Sequence, residues 1–144
     1  METSKTLKFP GQFESLAAIS EFVTRAAEAA GLDTRAVDAV QLAVDEACSN
    51  VIEHAYEGQD RGDIECTCNS SDDGLTVIIR DHGRPFDPAL VQEPNLNPTL
   101  QDEEFTGGGL GLYFMRQLMD KVLFEFAPDS GNVLTLVKRK EPEP

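Results

Sequence analysis

Glu46 and Asn50 stand four residues apart in the run Asp45-Glu46-Ala47-Cys48-Ser49-Asn50-Val51-Ile52-Glu53-His54. On a helix that spacing stacks a carboxylate over an amide, with Glu53 one turn further along the same side. Both groups offer hard oxygen donors of the kind Mg2+ accepts, directly or through water. A carboxylate held there can also take a proton from a hydroxyl or a water. A solvated helix face has the same composition, so the pair gains meaning only from the motifs downstream of it on the chain.

Two such motifs are rich in glycine. Asp81-His82-Gly83 comes directly after a run of β-branched residues. There the aspartate can accept a hydrogen bond from an exocyclic amine, and the glycine lets a flat ring approach the backbone. An ordinary turn uses the same residues. Gly107, Gly108, Gly109, Leu110 and Gly111 then lead into an amphipathic segment. Free backbone N–H groups and the positive helix end converge at such a start, which suits a di- or triphosphate. Leu110 and Leu112 argue against a flexible linker. No Gly-Lys-Ser/Thr motif is present, and the glycine run has no βαβ setting. One order on one short chain (acidic-amide helix, Asp-X-Gly turn, glycine-rich helix start) makes a nucleotide site the leading reading.

The elements that must position these groups are legible in outline. Residues 6–9 read as an opening strand closed by Pro10-Gly11. Apolar residues at helical spacing predict a helix over 13–30, ended by Gly31, with Asp33 capping a second helix over 34–56. The predicted core stripe of that helix is Val37, Val40, Val44, Ala47, Val51 and Ala55. Residues 64–68 and 75–80 predict two antiparallel strands, and a proline-bearing loop comes next over 85–106. A third helix from the glycine run, strands over 122–126 and 133–137 and a polar tail complete the chain. The order β-α-α-β-β-loop-α-β-β predicts an α+β fold, a two-layer sandwich with helices on one face of a mostly antiparallel sheet.

Composition sets bounds on function. A chain of 144 residues with 40% hydrophobic content suits one packed domain over 1–144. A formal charge of −14 repels phosphate backbones and argues against direct nucleic-acid binding. A nucleotide remains compatible, because backbone amides and a metal ion supply positive potential locally. No apolar run approaches bilayer length, and Met1-Glu2-Thr3-Ser4-Lys5 opens no signal peptide, so a cytoplasmic protein without a membrane segment is expected. Cys48, Cys66 and Cys68 read as reduced apolar packers. Same-face neighbours on one strand make poor disulfide geometry, and no second Cys/His pair supports zinc. His54, one turn past Asn50, is expected near the core edge in a structural role rather than as a phosphoacceptor.

Taken together, Glu46-X3-Asn50, Asp81-X-Gly83 and the run from Gly107 to Gly111 resemble the nucleotide-binding boxes of the GHKL superfamily, which includes gyrase, histidine kinases and mismatch-repair ATPases. The nearest likeness is to the small bacterial anti-sigma-factor serine kinases. It is carried by Ala43-Val44-Asp45-Glu46-Ala47-Cys48-Ser49-Asn50-Val51-Ile52-Glu53-His54-Ala55-Tyr56, by Asp81-His82-Gly83-Arg84-Pro85-Phe86-Asp87-Pro88, and by the text from Gly109 to Asp120.

The resemblance implies a Bergerat-type fold that binds ATP beneath a mobile lid at about 88–106. By that likeness Asn50 holds the Mg2+ that bridges the phosphates and Glu46 activates the attacking hydroxyl. Asp81 reads the adenine amino group, Gly83 makes room for the base, and the amides of Gly107, Gly108, Gly109, Leu110 and Gly111 hold phosphate oxygens. Thr135 matches a position where the family often carries a hydroxyl near the adenine. The implied activity is ATP-dependent phosphorylation of a serine on an anti-anti-sigma antagonist, with a sigma factor competing for the kinase and a homodimer as the assembly. Between Arg84 and Arg116 the chain has no Lys or Arg, and its lid carries Asp102-Glu103-Glu104. Transfer would therefore lean on Mg2+ and backbone dipoles. The alternative is a nucleotide-gated binding switch that sequesters a partner, a sigma factor or another target, without significant kinase activity.

Overall fold

A computed structural model describes residues 2–57, 62–86 and 109–141. The order of elements agrees with the sequence expectation. Strand β1 (Thr3–Pro10) leads through one 3-10 turn (Phe13–Ser15) into helix α1 (Leu16–Ala29). Helix α2 (Thr34–Asn50) continues into a single π-helical turn (Val51–Ala55), and strands β2 (Asp63–Ser71) and β3 (Gly74–Asp81) come after it. Helix α3 (Gly109–Leu118) and strands β4 (Lys121–Ala127) and β5 (Gly131–Arg139) complete the fold. The expected lid at 88–106, with Gly107 and Gly108, lies outside the described residues.

The five strands form one antiparallel sheet in the order β1-β2-β3-β5-β4. Its central pair, β3 and β5, is in register with Asp81 opposite Asn132 and Ile78 opposite Thr135. The helices pack over one face. Ile19, Val23 and Ala27 of α1 and Val40, Val44 and Cys48 of α2 meet Ile64, Cys66, Val77, Ile79 and Leu136 in a core from which water is excluded. Burial of these side chains is the main force holding the two layers together. The α+β two-layer sandwich is thus as expected.

Local chemistry explains where α1 stops and α2 starts. Gly31 takes a left-handed φ of 85°, its N–H reaching Glu28 O at 3.0 Å while Leu32 N–H reaches Ala27 O at 3.2 Å. That paired arrangement closes a helix that a side chain at Gly31 would strain. Asp33 then accepts Ala36 N–H at 2.8 Å, capping α2 as its residue type predicts.

The second helix departs from expectation beyond Asn50. The backbone widens there, and Tyr56 N–H closes onto Val51 O at 2.9 Å, five residues back. Val51 and Ala55, expected in the core stripe, are only half-buried, whereas Ile52 and Tyr56 are almost fully buried. The cysteines are free and buried, as expected. Burial, with Asp45 and Asp81 nearby, pushes the Cys48 thiol up to about 12. Among the described residues no helix is long and apolar enough to cross a membrane.

Candidate functional site

A cleft opens between the helix layer and the end of the sheet, lined among others by Asn50, Asp81 and Asn132. Its walls are chiefly apolar. Ala47 and Val51 come from α2 and its π turn, Ile79 and Leu134 from the sheet, and Met115 and Phe124 from α3 and β4. The Phe86 ring lies 4.8 Å from that of Phe124, centroid to centroid, which extends the apolar wall at the mouth. A slot of this kind, with few polar groups, suits a planar heterocycle.

Asp81 is the buried polar group at the sheet end, only 4% exposed. Its Oδ1 accepts Gly83 N–H at 2.9 Å and an Asn132 Nδ2 hydrogen at 2.9 Å. Burial pushes its carboxyl above the usual carboxylate range, and the hydrogen bonds from Asn132 and Gly83 and the neighbouring His82 pull the other way. Gly83 is packed more tightly than the sequence requires. A Cβ there would stand 2.5 Å from Ala55 O and 2.6 Å from Ala55 Cβ. The missing side chain therefore lets the turn lie against the π segment, where Arg84 N–H reaches Ala55 O at 3.0 Å. Room for a base was the sequence expectation. The described contact is with Ala55.

Tyr56 ties the same corner together, donating to Asp63 O at 2.7 Å and accepting His82 N–H at 3.1 Å. Its buried ring thereby fixes the end of the π turn to the start of β2 and to the loop after β3.

At the opposite end the helices converge. Glu46 is exposed on α2 and Asn50 is half-buried one turn on. A Cβ built on Gly111 would lie 2.6 Å from Glu46 Oε2 and 3.8 Å from Asn50 Nδ2. The first turn of α3 therefore abuts both groups, and the positive end of that helix lies beside them. Gly109, Leu110 and Gly111 lie in that first turn. Mg2+ fits the donor chemistry, since one amide oxygen and one carboxylate leave most positions to phosphate oxygens and water. Among the described residues no group of three or more His, Cys, Asp or Glu is placed to hold a metal ion.

Two expectations change. Thr135 is not at the cleft. Asn132, Leu134 and Leu136 are buried beneath the helices, so the alternation of β5 turns Thr135 to the opposite face of the sheet. Asn132 holds the place beside Asp81 instead. His54 is not at the core edge either: its side chain is 55% exposed at the rim, 3.9 Å from Glu53. Glu53 shares that rim pair and does not line the cleft.

Sequence reasoning missed Asn132 and Tyr56. Asn132 comes after Gly131 in what reads as a turn, yet counting back by twos from Leu136 and Leu134 would have put it on the buried face. Tyr56 reads in the sequence only as the last residue of a helix.

Comparison with known proteins shows the family. The histidine kinase-like ATPase domain family matches residues 9–138. The serine-protein kinase RsbW of Bacillus pumilus is 33% identical over 137 residues, which is 92% of this chain and 83% of that protein. The proteins of the same name from Bacillus subtilis and Halalkalibacterium halodurans are each 32% identical, covering 81% and 90% of this chain and 74% and 78% of their own lengths.

Proposed function

We infer the function from one premise: the chain belongs to the histidine kinase-like ATPase domain family, with the α+β Bergerat-type fold. Within it, the protein acts as an ATP-dependent serine protein kinase. What supports this most is the meeting of Glu46, Asn50 and the start of α3 around one point, with Asn50 also lining the cleft that holds the buried Asp81. The relatives named serine-protein kinase across most of the chain support the same reading.

On this reading the base enters the apolar slot and presents its amino group to Asp81. The phosphates extend to the N–H groups of the glycine run, of which Gly109 and Gly111 lie in the first turn of α3. Asn50 holds Mg2+, which when bound neutralises phosphate charge and aligns the γ-phosphate. Glu46 takes the proton of an incoming serine hydroxyl as that oxygen bonds to the γ-phosphorus. The bond from that phosphorus to the bridging oxygen breaks, and ADP leaves with the electron pair.

The substrate is a serine on an anti-anti-sigma antagonist, and the second partner is a sigma factor that the kinase sequesters. A homodimer and a cytoplasmic setting complete the proposal. The single domain spans 1–144.

The test incubates the protein with γ-labelled ATP, Mg2+ and a candidate antagonist, comparing wild type with Glu46→Ala. Label on the antagonist that Glu46→Ala abolishes is expected. Wild type that binds ATP yet transfers no label to any antagonist would favour the nucleotide-gated switch, a reading kept open by the absence of Lys and Arg between Arg84 and Arg116. Asn50→Ala is expected to weaken Mg-ATP binding, and unchanged affinity would remove the metal role.

A further inference from the structure

We propose that Asn132 is the positioning residue for base recognition, acting by holding Asp81 and the loop that walls the slot. The inference rests on the ATP-binding reading above and assigns a role to a side chain outside the three sequence boxes.

Asn132 is buried as the second residue of β5, and three of the hydrogen bonds its amide can make are made inside the protein. Nδ2 donates to Asp81 Oδ1 at 2.9 Å and to Arg84 O at 2.9 Å, while Oδ1 accepts Phe86 N–H at 2.9 Å. Three bonds thus join one side chain to both ends of the Asp81–Phe86 segment. With Gly83 N–H also on Oδ1, the carboxylate cannot rotate about its last bond without losing two hydrogen bonds. Only Oδ2 is left for a ligand. That oxygen is not sealed in, because the one buried side-chain polar atom without a partner among the described residues is Arg80 Nε.

The register of β3 with β5 makes this possible. Asp81 and Asn132 are directly paired across the strands, so their side chains rise together on the helix face. Gly131 brings the strands close: its φ is 77°, and a Cβ there would stand 2.2 Å from Asp81 O. Both amide hydrogens of Asn132 are therefore committed inside the protein, and it has none left to donate to the base. It sets which oxygen Asp81 offers and holds Phe86 where its ring meets Phe124.

The consequence is a split between the two ends of a nucleotide. Loss of the Asn132 amide loosens the base end and leaves the phosphate end, built on α2 and α3, as it was. The probes are ATP, inosine triphosphate (a carbonyl in place of the amine) and inorganic tripolyphosphate, each with Mg2+, bound to the full chain by calorimetry. In wild type, ATP should bind about ten- to a hundredfold tighter than inosine triphosphate. In Asn132→Ala the preference should fall below about threefold, with tripolyphosphate affinity unchanged and KM for ATP raised more than kcat is lowered. Asn132→Asp retains an acceptor for Phe86 N–H but no donor for Asp81, and should behave alike if the alanine variant folds poorly. A preference intact in both variants while Asp81→Asn erases it overturns the role of Asn132 alone. Equal losses for all three ligands also overturn it, since they mark a general loosening. Wild type that binds none of the three would instead sink the ATP-binding reading.

Discussion

Gly111 and Glu46 face each other so closely that a methyl group on the glycine would sit 2.6 Å from the glutamate's Oε2. The carboxylate that is to take a proton is thus held beside the amide-rich start of α3.

Gly111→Ala therefore displaces a flexible carboxylate rather than a rigid wall. Alanine also favours the helix, by up to about 1 kcal/mol. The expected outcome is an unchanged or slightly raised melting temperature with kcat for phosphotransfer down about tenfold or more, as a misplaced base requires. Unaltered kcat would show that Glu46 does not act from this position.

Gly83→Ala meets backbone instead, with Ala55 O 2.5 Å and Ala55 C 2.7 Å from the new carbon. One segment must shift, at a cost of about 1–3 kcal/mol, or roughly 3–10 °C in Tm for a chain of this size. ATP affinity should fall with it, since Arg84 and Asp81 move with the turn. A thermal melt within 1 °C of wild type would contradict the packing, on the scale of about 3 °C per kcal/mol.

Asp81 makes two pH-dependent quantities run in opposite directions. Its folded-state pKa is raised by burial, so the folded protein holds the proton more tightly than the unfolded chain does. Stability from this group is full below the ordinary carboxylate value and is lost as pH rises through the raised one. ATP affinity runs the other way, because a protonated Asp81 accepts poorly from the adenine amine. Acidifying through that window should thus raise the stability of wild type relative to Asp81→Asn while lowering its affinity for ATP. Paired denaturation and binding curves would check both signs.

Thr135→Val should leave ATP affinity within about twofold of wild type, because the hydroxyl faces away from the helices, with Ile78 and Leu123 as its strand neighbours. A tenfold loss in a binding assay would return Thr135 to the site.

Placing Thr135 at the base shows where the sequence stops being readable. The existence of β5 was plain from Val133 to Val137, but strand faces alternate, so a strand begun at Val133 leaves its neighbour Asn132 in a turn. Once the strand begins at Gly131, Asn132 joins Leu134 and Leu136 on the buried side. Ends of elements depend on tertiary contacts that local pattern does not carry. The same holds after Asn50, where helical spacing continues smoothly into Tyr56, and only the packing of Tyr56 against Gly11 and Gly62 is consistent with a wider turn there. By contrast, Glu46, Asn50, Asp81 and Gly111 were legible because each motif draws on local geometry: a helical turn, a strand end, a helix start. The fold adds the meeting of Glu46, Asn50 and Gly111, and puts Asn50 and Asp81 on one cleft.

The cleft crosses the boundary between the two layers of the sandwich. Asp81 and Asn132 are rooted in the central strands, Glu46 and Gly111 in the helices, and the π turn with Tyr56 is the covalent seam between them. On the proposed reading a nucleotide would touch both layers, and because it binds only the folded chain it would stabilise the domain in proportion to the logarithm of one plus its concentration over Kd. On the same reading, a nucleotide one phosphate shorter would lose contacts to α2 and α3 and none to β3 and β5.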